Sequence, residues 1–209
     1  MKLIIARRSP KDRKARVALI EKGIEFETVV DNPWQPGAEV ARCNPLGKVP
    51  ALVLDDGRVI HDSKVIIEYL ETLNAPPALI PAAPALRVEH KQIEATADGI
   101  CDAVVLIRLE GTRPAAKQSA DWVARQSKKI EARVAYLSRL LCERDCFPDS
   151  GLGLAEVSTV CMLEYLDFRH PQFDWRAAAP NLERLYRRLS GRESFARTKP
   201  EAQQMPVLQ

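Results

Sequence analysis

Apolar positions recur along this chain with two different periods, and the change from one to the other divides it. Short apolar or alternating runs at Lys2 to Ala6, Ile24 to Val30, Ala51 to Leu54 and Arg58 to Ile60 are bounded by turn residues and predict four strands. Helical patterns lie between them. Ser9 followed by Pro10 is a helix start, because proline at the first helical position gives up an N–H that has no intrahelical partner. That helix is predicted to run to about Lys22 and to stop at Gly23, a residue suited to the position after a helix end. A proline-bearing connection over 31–37 precedes a short helix near Ala38 to Cys43. Asp55-Asp56-Gly57 carries hairpin-turn chemistry, and Asp62 or Ser63 caps a helix with one apolar stripe at Val65, Ile66, Tyr69, Leu70 and Leu73.

The predicted order is therefore β-α-β-α-β-β-α, a thioredoxin-like α/β arrangement over residues 1–74. Residues 75–85 follow as a linker. Four prolines within Ala75 to Pro84 cannot continue a helix or enter a sheet interior. Beyond them the strand signals vanish, and 86–209 reads as an all-α domain. Its first helix spans about Leu86 to Gly111, with Val88, Ile93, Ala97, Ile100, Val104 and Ile107 on an inward face. A second covers about Lys117 to Arg144, with Ile130, Val134, Leu137 and Leu141 at helical spacing. Leu154 to Phe168 is apolar almost throughout and reads as a buried central helix. Shorter helices follow Pro180 and Arg192.

Composition narrows the class further. At 209 residues, 46% apolar and 28% charged, the chain has room for two small domains of ordinary globular character. A net charge of +3 asks for no nucleic-acid partner. The N-terminal apolar core is too short for a signal peptide and no run approaches a membrane span, so a cytoplasmic protein is expected. Five cysteines form no Cys-x-x-Cys pair, and His61, His90 and His170 are scattered, so no metal site is expected. The cysteines read as small buried hydrophobes, with Cys142 and Cys146 able to lie one helical turn apart.

The candidate chemistry sits in Asn44 to Leu54 and its continuation His61-Asp62-Ser63-Lys64. Pro50 stands at a strand entrance, where proline removes a ladder donor. A cis bond there would turn the Val49 backbone outward, leaving its N–H and C=O for a ligand. Asp62-Ser63 at a helix N-terminus pairs a hydroxyl and free N–H groups, which suit a carboxylate, with an anion that suits an ammonium. The charged head of an amino acid fits that pair; a plain N-cap is the alternative.

In this order and spacing, Asn44 to Pro50 with Asp62-Ser63 resembles the glutathione-binding half of the glutathione S-transferase family. The likeness extends over Ser9-Pro10 to Gly23 and Arg192 to Arg197, and is similar to the bacterial proteins of the YibF type. The resemblance implies that Val49 pairs with the peptide backbone of the cysteinyl unit, that Asp62 and Ser63 hold the γ-glutamyl head, and that Lys48 adds charge near a carboxylate. It implies a catalytic role for Ser9, donating a hydrogen bond to the thiolate, the nucleophilic form of glutathione. It further implies a homodimer and an electrophile pocket between the domains, with Arg8, Val104, Arg108 and Arg113 as its candidates and Asp98 as a residue reaching a ligand amine.

Two departures from the family pattern stand out. Gly153 and Glu156 occupy a helix start where a hydroxyl residue and Asp are usual, which keeps only part of a capping box, with Leu152 and Val157 as its staple. Arg7 and Arg8 precede Ser9, and with Lys11, Arg13, Lys14 and Arg16 they make six basic residues. These form either a solvated helix face or a positive rim for anionic glutathione. Three functions are thus open: conjugation of glutathione to an electrophile, a non-catalytic interaction protein on the same scaffold, like the stringent starvation proteins, and a thiol oxidoreductase or peroxidase. The last would call for cysteine where Ser9 stands.

Overall fold

The computed structural model describes residues 1–148 and 151–202. They divide into two compact units: Met1–Leu79 with the chain from Arg192 onward, and Ile80–Gly191.

In the first unit the strands are β1 (Lys2–Ile5), β2 (Glu27–Val30), β3 (Ala51–Val53) and β4 (Val59–His61), and the helices α1 (Pro10–Glu21), α2 (Val40–Cys43) and α3 (Ser63–Thr72). The β-α-β-α-β-β-α order holds. The sheet is mixed, in the order β2-β1-β3-β4. β1 runs parallel to β2, while β3 is antiparallel to both β1 and β4. Alternation along the strands sends Ile4 and Ala51 to one face, where Ala38 and Val40 cover them. Leu3, Ile5 and Leu52 are buried on the other face, and α1 packs against α3.

The last described stretch belongs to this unit. A short helix, Glu193–Ala196, packs on α1. The basic run of α1 explains the docking and corrects the expectation of a solvated face. Arg13 and Lys14 are almost wholly buried. Arg13 donates to the Phe195 carbonyl and to Thr198 Oγ1, and Arg16 donates to the Arg197 carbonyl. A guanidinium carries enough donors to cap a returning chain's carbonyls, which is how such a group can be buried.

In the second unit the helices are α4 (Pro84–Glu110), α5 (Ala120–Leu141), α6 (Leu154–Arg169), α7 (Trp175–Ala178) and α8 (Pro180–Leu189). α4 packs on α5 and α6. Every residue from Leu154 to Leu166 is buried, as the apolar run predicts. Glu156 accepts from the Gly153 N–H at 2.9 Å and from the Phe147 N–H at 2.8 Å, so the helix start is held without a hydroxyl cap. Three expectations change. Val88 is 67% exposed, because it lies two residues out of step with the inward face that Ile93, Ala97, Ile100 and Val104 form. α5 begins at Ala120, after a separate 3-10 turn at Ala115–Lys117, and Ser119 caps it by accepting from Trp122 N. Cys142 ends α5 with φ 56°, so it does not share a helical turn with Cys146, and it is exposed.

Candidate functional site

Strand register brings the candidate residues of the first unit to one end of the sheet. Ile4 pairs with Ala51, and Ala51 with His61. β1 and β4 leave this row at their C-terminal ends and β3 enters it at its N-terminal end. The loop carrying Arg8 and Ser9, the Val49–Pro50 entrance and the Asp62–Ser63 helix start therefore emerge side by side. A recess of about 620 Å³ lined by Met1, Gly23 and Glu27 lies at the opposite end of the sheet and contains none of them.

Asn44 builds the approach to Pro50. Its Oδ1 accepts from the Leu46 N–H at 3.0 Å, its C=O from the Gly47 N–H at 2.8 Å, and its Nδ2 donates to the Lys48 carbonyl at 2.7 Å. Gly47 has φ 59°, a region glycine enters without a Cβ penalty. The Val49–Pro50 bond is cis, and among the described residues neither backbone group of Val49 has a hydrogen-bond partner. The Lys48 side chain is exposed. Asn44 entered the sequence reading only as a turn residue. Its hold on the Lys48 carbonyl was not anticipated, although an Asn-Pro-x-Gly run is the pattern that would suggest it.

Asp62 caps α3 with φ 71°, an uncommon conformation for a residue with a side chain. Its Oδ1 accepts from the Lys64 N–H at 2.8 Å, its carbonyl accepts from the Ile66 N–H, its second carboxylate oxygen has no hydrogen-bond partner among the described residues, and the residue is exposed. Ser63, 1% exposed, has a buried hydroxyl with no hydrogen-bond partner among the described residues. An unpaired buried hydroxyl costs about 1–3 kcal/mol. Together these atoms present donors and the positive end of a helix beside one free anion.

The Ser9 hydroxyl is already engaged. It accepts from the Asp12 N–H at 3.3 Å and lies 2.8 Å from Asp12 Oδ1; Asp12 Oδ2 accepts from the Ala6 N–H at 2.5 Å. Burial pushes the Asp12 carboxyl up to about 8, against the hydrogen bonds from Ala6 and Ser9 and the charge of Arg16. Asp12 was missed in the sequence, yet Ser-x-x-Asp at a helix start is the signature of a capping box. Arg8 is buried beside this loop, where its Nη2 donates to Asn32 Oδ1 at 3.1 Å. Arg7 is exposed and pairs with Glu201 at 2.7 Å.

The other candidates belong to the second unit. Val104 and Asp98 are buried on α4, Arg108 is exposed near its end, and Arg113 just beyond it pairs with Glu110 at 3.2 Å. Among the described residues no group of three or more His, Cys, Asp or Glu side chains is placed to hold a metal ion, and no helix is long and apolar enough to cross a membrane.

Comparison with known proteins places this arrangement. The glutathione S-transferase N-terminal domain model matches residues 8–73, and the C-terminal domain model matches residues 120–188. An uncharacterised GST-like protein of Escherichia coli K12, YibF, is 41% identical over 200 residues, 96% of this chain and 98% of its own. A glutathione S-transferase from Methylobacterium radiotolerans, crystallised with glutathione sulfonate, superposes with a TM-score of 0.94 at 43% identity, covering 98% of this chain and 97% of that one. Another, from Methylobacillus flagellatus with glutathione bound, gives 0.92 at 36% identity, covering 96% and 99%.

Proposed function

The chain belongs to the glutathione S-transferase family, and from that membership we propose that it binds glutathione at this sheet end and conjugates the tripeptide's sulfur to an electrophile. The observation that carries the reading is the buried, unpartnered hydroxyl of Ser63 at the start of α3, next to the open carboxylate oxygen of Asp62. A γ-glutamyl head carries one carboxylate and one ammonium. The carboxylate completes the Ser63 hydroxyl and meets the helix dipole, and the ammonium meets Asp62. The N–H and C=O of Val49 pair with the backbone of the cysteinyl unit as an added strand would, and Lys48 offers charge to the far carboxylate. The sulfur then lies toward Ser9.

Conjugation proceeds once the thiol has released its proton to solvent. The Ser9 hydroxyl and the N-terminal dipole of α1 stabilise the thiolate, a sulfur lone pair forms the new S–C bond, and the electrophile's leaving group departs with its electron pair. The assignment of Arg8, Val104, Arg108 and Arg113 to the electrophile, a homodimeric state and a cytoplasmic location are parts of the same proposal.

A second reading is favoured by one contact. The single proton of the Ser9 hydroxyl has an acceptor in Asp12, which suits a protein that holds glutathione without reacting it. Calorimetric titration with glutathione, followed by turnover of an aryl halide, separates the two. Binding with turnover supports the transferase, binding alone supports the interaction protein, and absence of binding removes the transferase together with any glutathione-dependent oxidoreductase.

A further inference from the structure

The Ser9–Asp12 contact bears directly on the reactivity of that sulfur. We propose that Asp12 is a positioning residue that steers the Ser9 hydroxyl: its neutral carboxyl turns the serine proton toward the glutathione sulfur, and its ionised carboxylate takes that proton back. The inference rests on the glutathione reading above and adds a regulation of the same site.

The geometry supplies the switch. A serine hydroxyl has one proton and two lone pairs. Ser9 Oγ already accepts from the Asp12 N–H, and it stands 2.8 Å from Asp12 Oδ1. When Asp12 is ionised it can only accept, so the serine proton must point at Oδ1. When Asp12 is neutral, its own O–H donates to Ser9 Oγ, both serine lone pairs are then filled, and the serine proton is released toward the sheet end. The proton that Asp12 loses or gains is exchanged with solvent, and no other bond changes. Oδ2 cannot relieve the constraint, because the Ala6 N–H holds it.

The neutral state is accessible at ordinary pH. Asp12 is 1% exposed, and that burial outweighs the hydrogen bonds from Ala6 and Ser9 and the attraction of Arg16 one turn along α1. Arg16 is itself faced by Arg7 and Arg13 and by Glu201 of the C-terminal segment, so the field at Asp12 comes through one cation already balanced by an anion. A carboxyl held neutral by its surroundings is an established kind of hydrogen-bond donor. The ionised form opposes the thiolate twice, by withdrawing a donor and by adding a like charge.

The test follows the thiolate absorbance of bound glutathione in the far ultraviolet. Wild type, Asp12→Asn, Ser9→Ala and the double variant are titrated from about pH 6 to about pH 10, with calorimetry confirming occupancy. The Asn amide donates to Ser9 Oγ while its oxygen accepts from Ala6, so the variant mimics the neutral acid at every pH. Wild type and Asp12→Asn are expected to coincide at the low end. Above about pH 8 the variant should carry an about tenfold higher ratio of thiolate to thiol. In the Ser9→Ala background the gain should shrink to the smaller part that removal of a like charge supplies. Superimposable wild-type and Asp12→Asn curves would overturn the proposal, as would a gain of undiminished size without Ser9, which would make Asp12 a mere charge. Should calorimetry find no glutathione bound to wild type, the glutathione reading itself falls and this inference with it.

Discussion

The Glu21 carboxylate and the Arg192 guanidinium, 171 positions apart in the chain, meet in two parallel hydrogen bonds of 2.9 and 2.8 Å. Ser194 Oγ donates to the same carboxylate. This clamp fastens the returning C-terminal segment to the far end of α1, while Arg13 and Arg16 fasten it nearer the start. The helix that presents Ser9 is thus braced along its length by residues from the other end of the chain.

Loss of the clamp should be measurable. Burial works against ionisation of Glu21, but the hydrogen bonds of Arg192 and Ser194 outweigh it and hold the carboxyl below its usual range. A carboxylate with a depressed pKa contributes stability that is present above the unfolded value and is lost as pH falls through the folded one. Arg192→Ala is expected to cost about 1 kcal/mol in urea unfolding at neutral pH, and less in acid. An unchanged midpoint at neutral pH would show that the clamp is idle.

Asp12 has the opposite sign. Its carboxyl is raised from 3.8 to about 8, so between these values the folded chain keeps a proton that the unfolded chain releases. Its contribution is present below the lower value and is lost as pH rises through the upper one. Relative to Asp12→Asn, wild type should therefore lose stability steadily from about pH 4 to about pH 8 in denaturant titrations. A constant difference across that window would place the ionisation elsewhere.

Ligand affinity should report on the α3 start. Ser63→Ala removes the hydroxyl without disturbing any protein hydrogen bond, because that hydroxyl has none among the described residues. Glutathione binding is expected to weaken about 10- to 100-fold in calorimetry, the worth of a hydrogen bond to a charged group, while thermal stability is unchanged or slightly raised. Asp62→Ala should weaken binding at least as much, and it also removes the bond to Lys64 N. Equal affinity for Ser63→Ala and wild type would move the carboxylate site away from α3.

Glu156 offers a test that leaves the glutathione site alone. It is fully buried and satisfies two backbone N–H groups, those of Gly153 and Phe147. Glu156→Ala should cost about 3 kcal/mol or more, since both donors are left buried without an acceptor. A loss under about 1 kcal/mol would mean that water replaces the carboxylate.

Much of this molecule was legible in its order of residues. Strand and helix order and the buried run of α6 follow from local periodicity and turn chemistry, which depend on neighbours in the chain. The strand-entry Val49-Pro50 and the Asp62-Ser63 helix start were visible for the same reason: proline, glycine and capping residues act on the backbone within a few positions. What only tertiary structure decided was which charges go inside. Arg13 and Lys14 look like a solvated face, yet both are buried, and the Phe195 carbonyl and Thr198 hydroxyl, 182 and 185 positions later, accept from Arg13. The state of the Asp12 carboxyl likewise depends on burial, a property of everything packed around it. Local pattern determined where backbone groups turn outward; long-range packing determined which protons those groups can use.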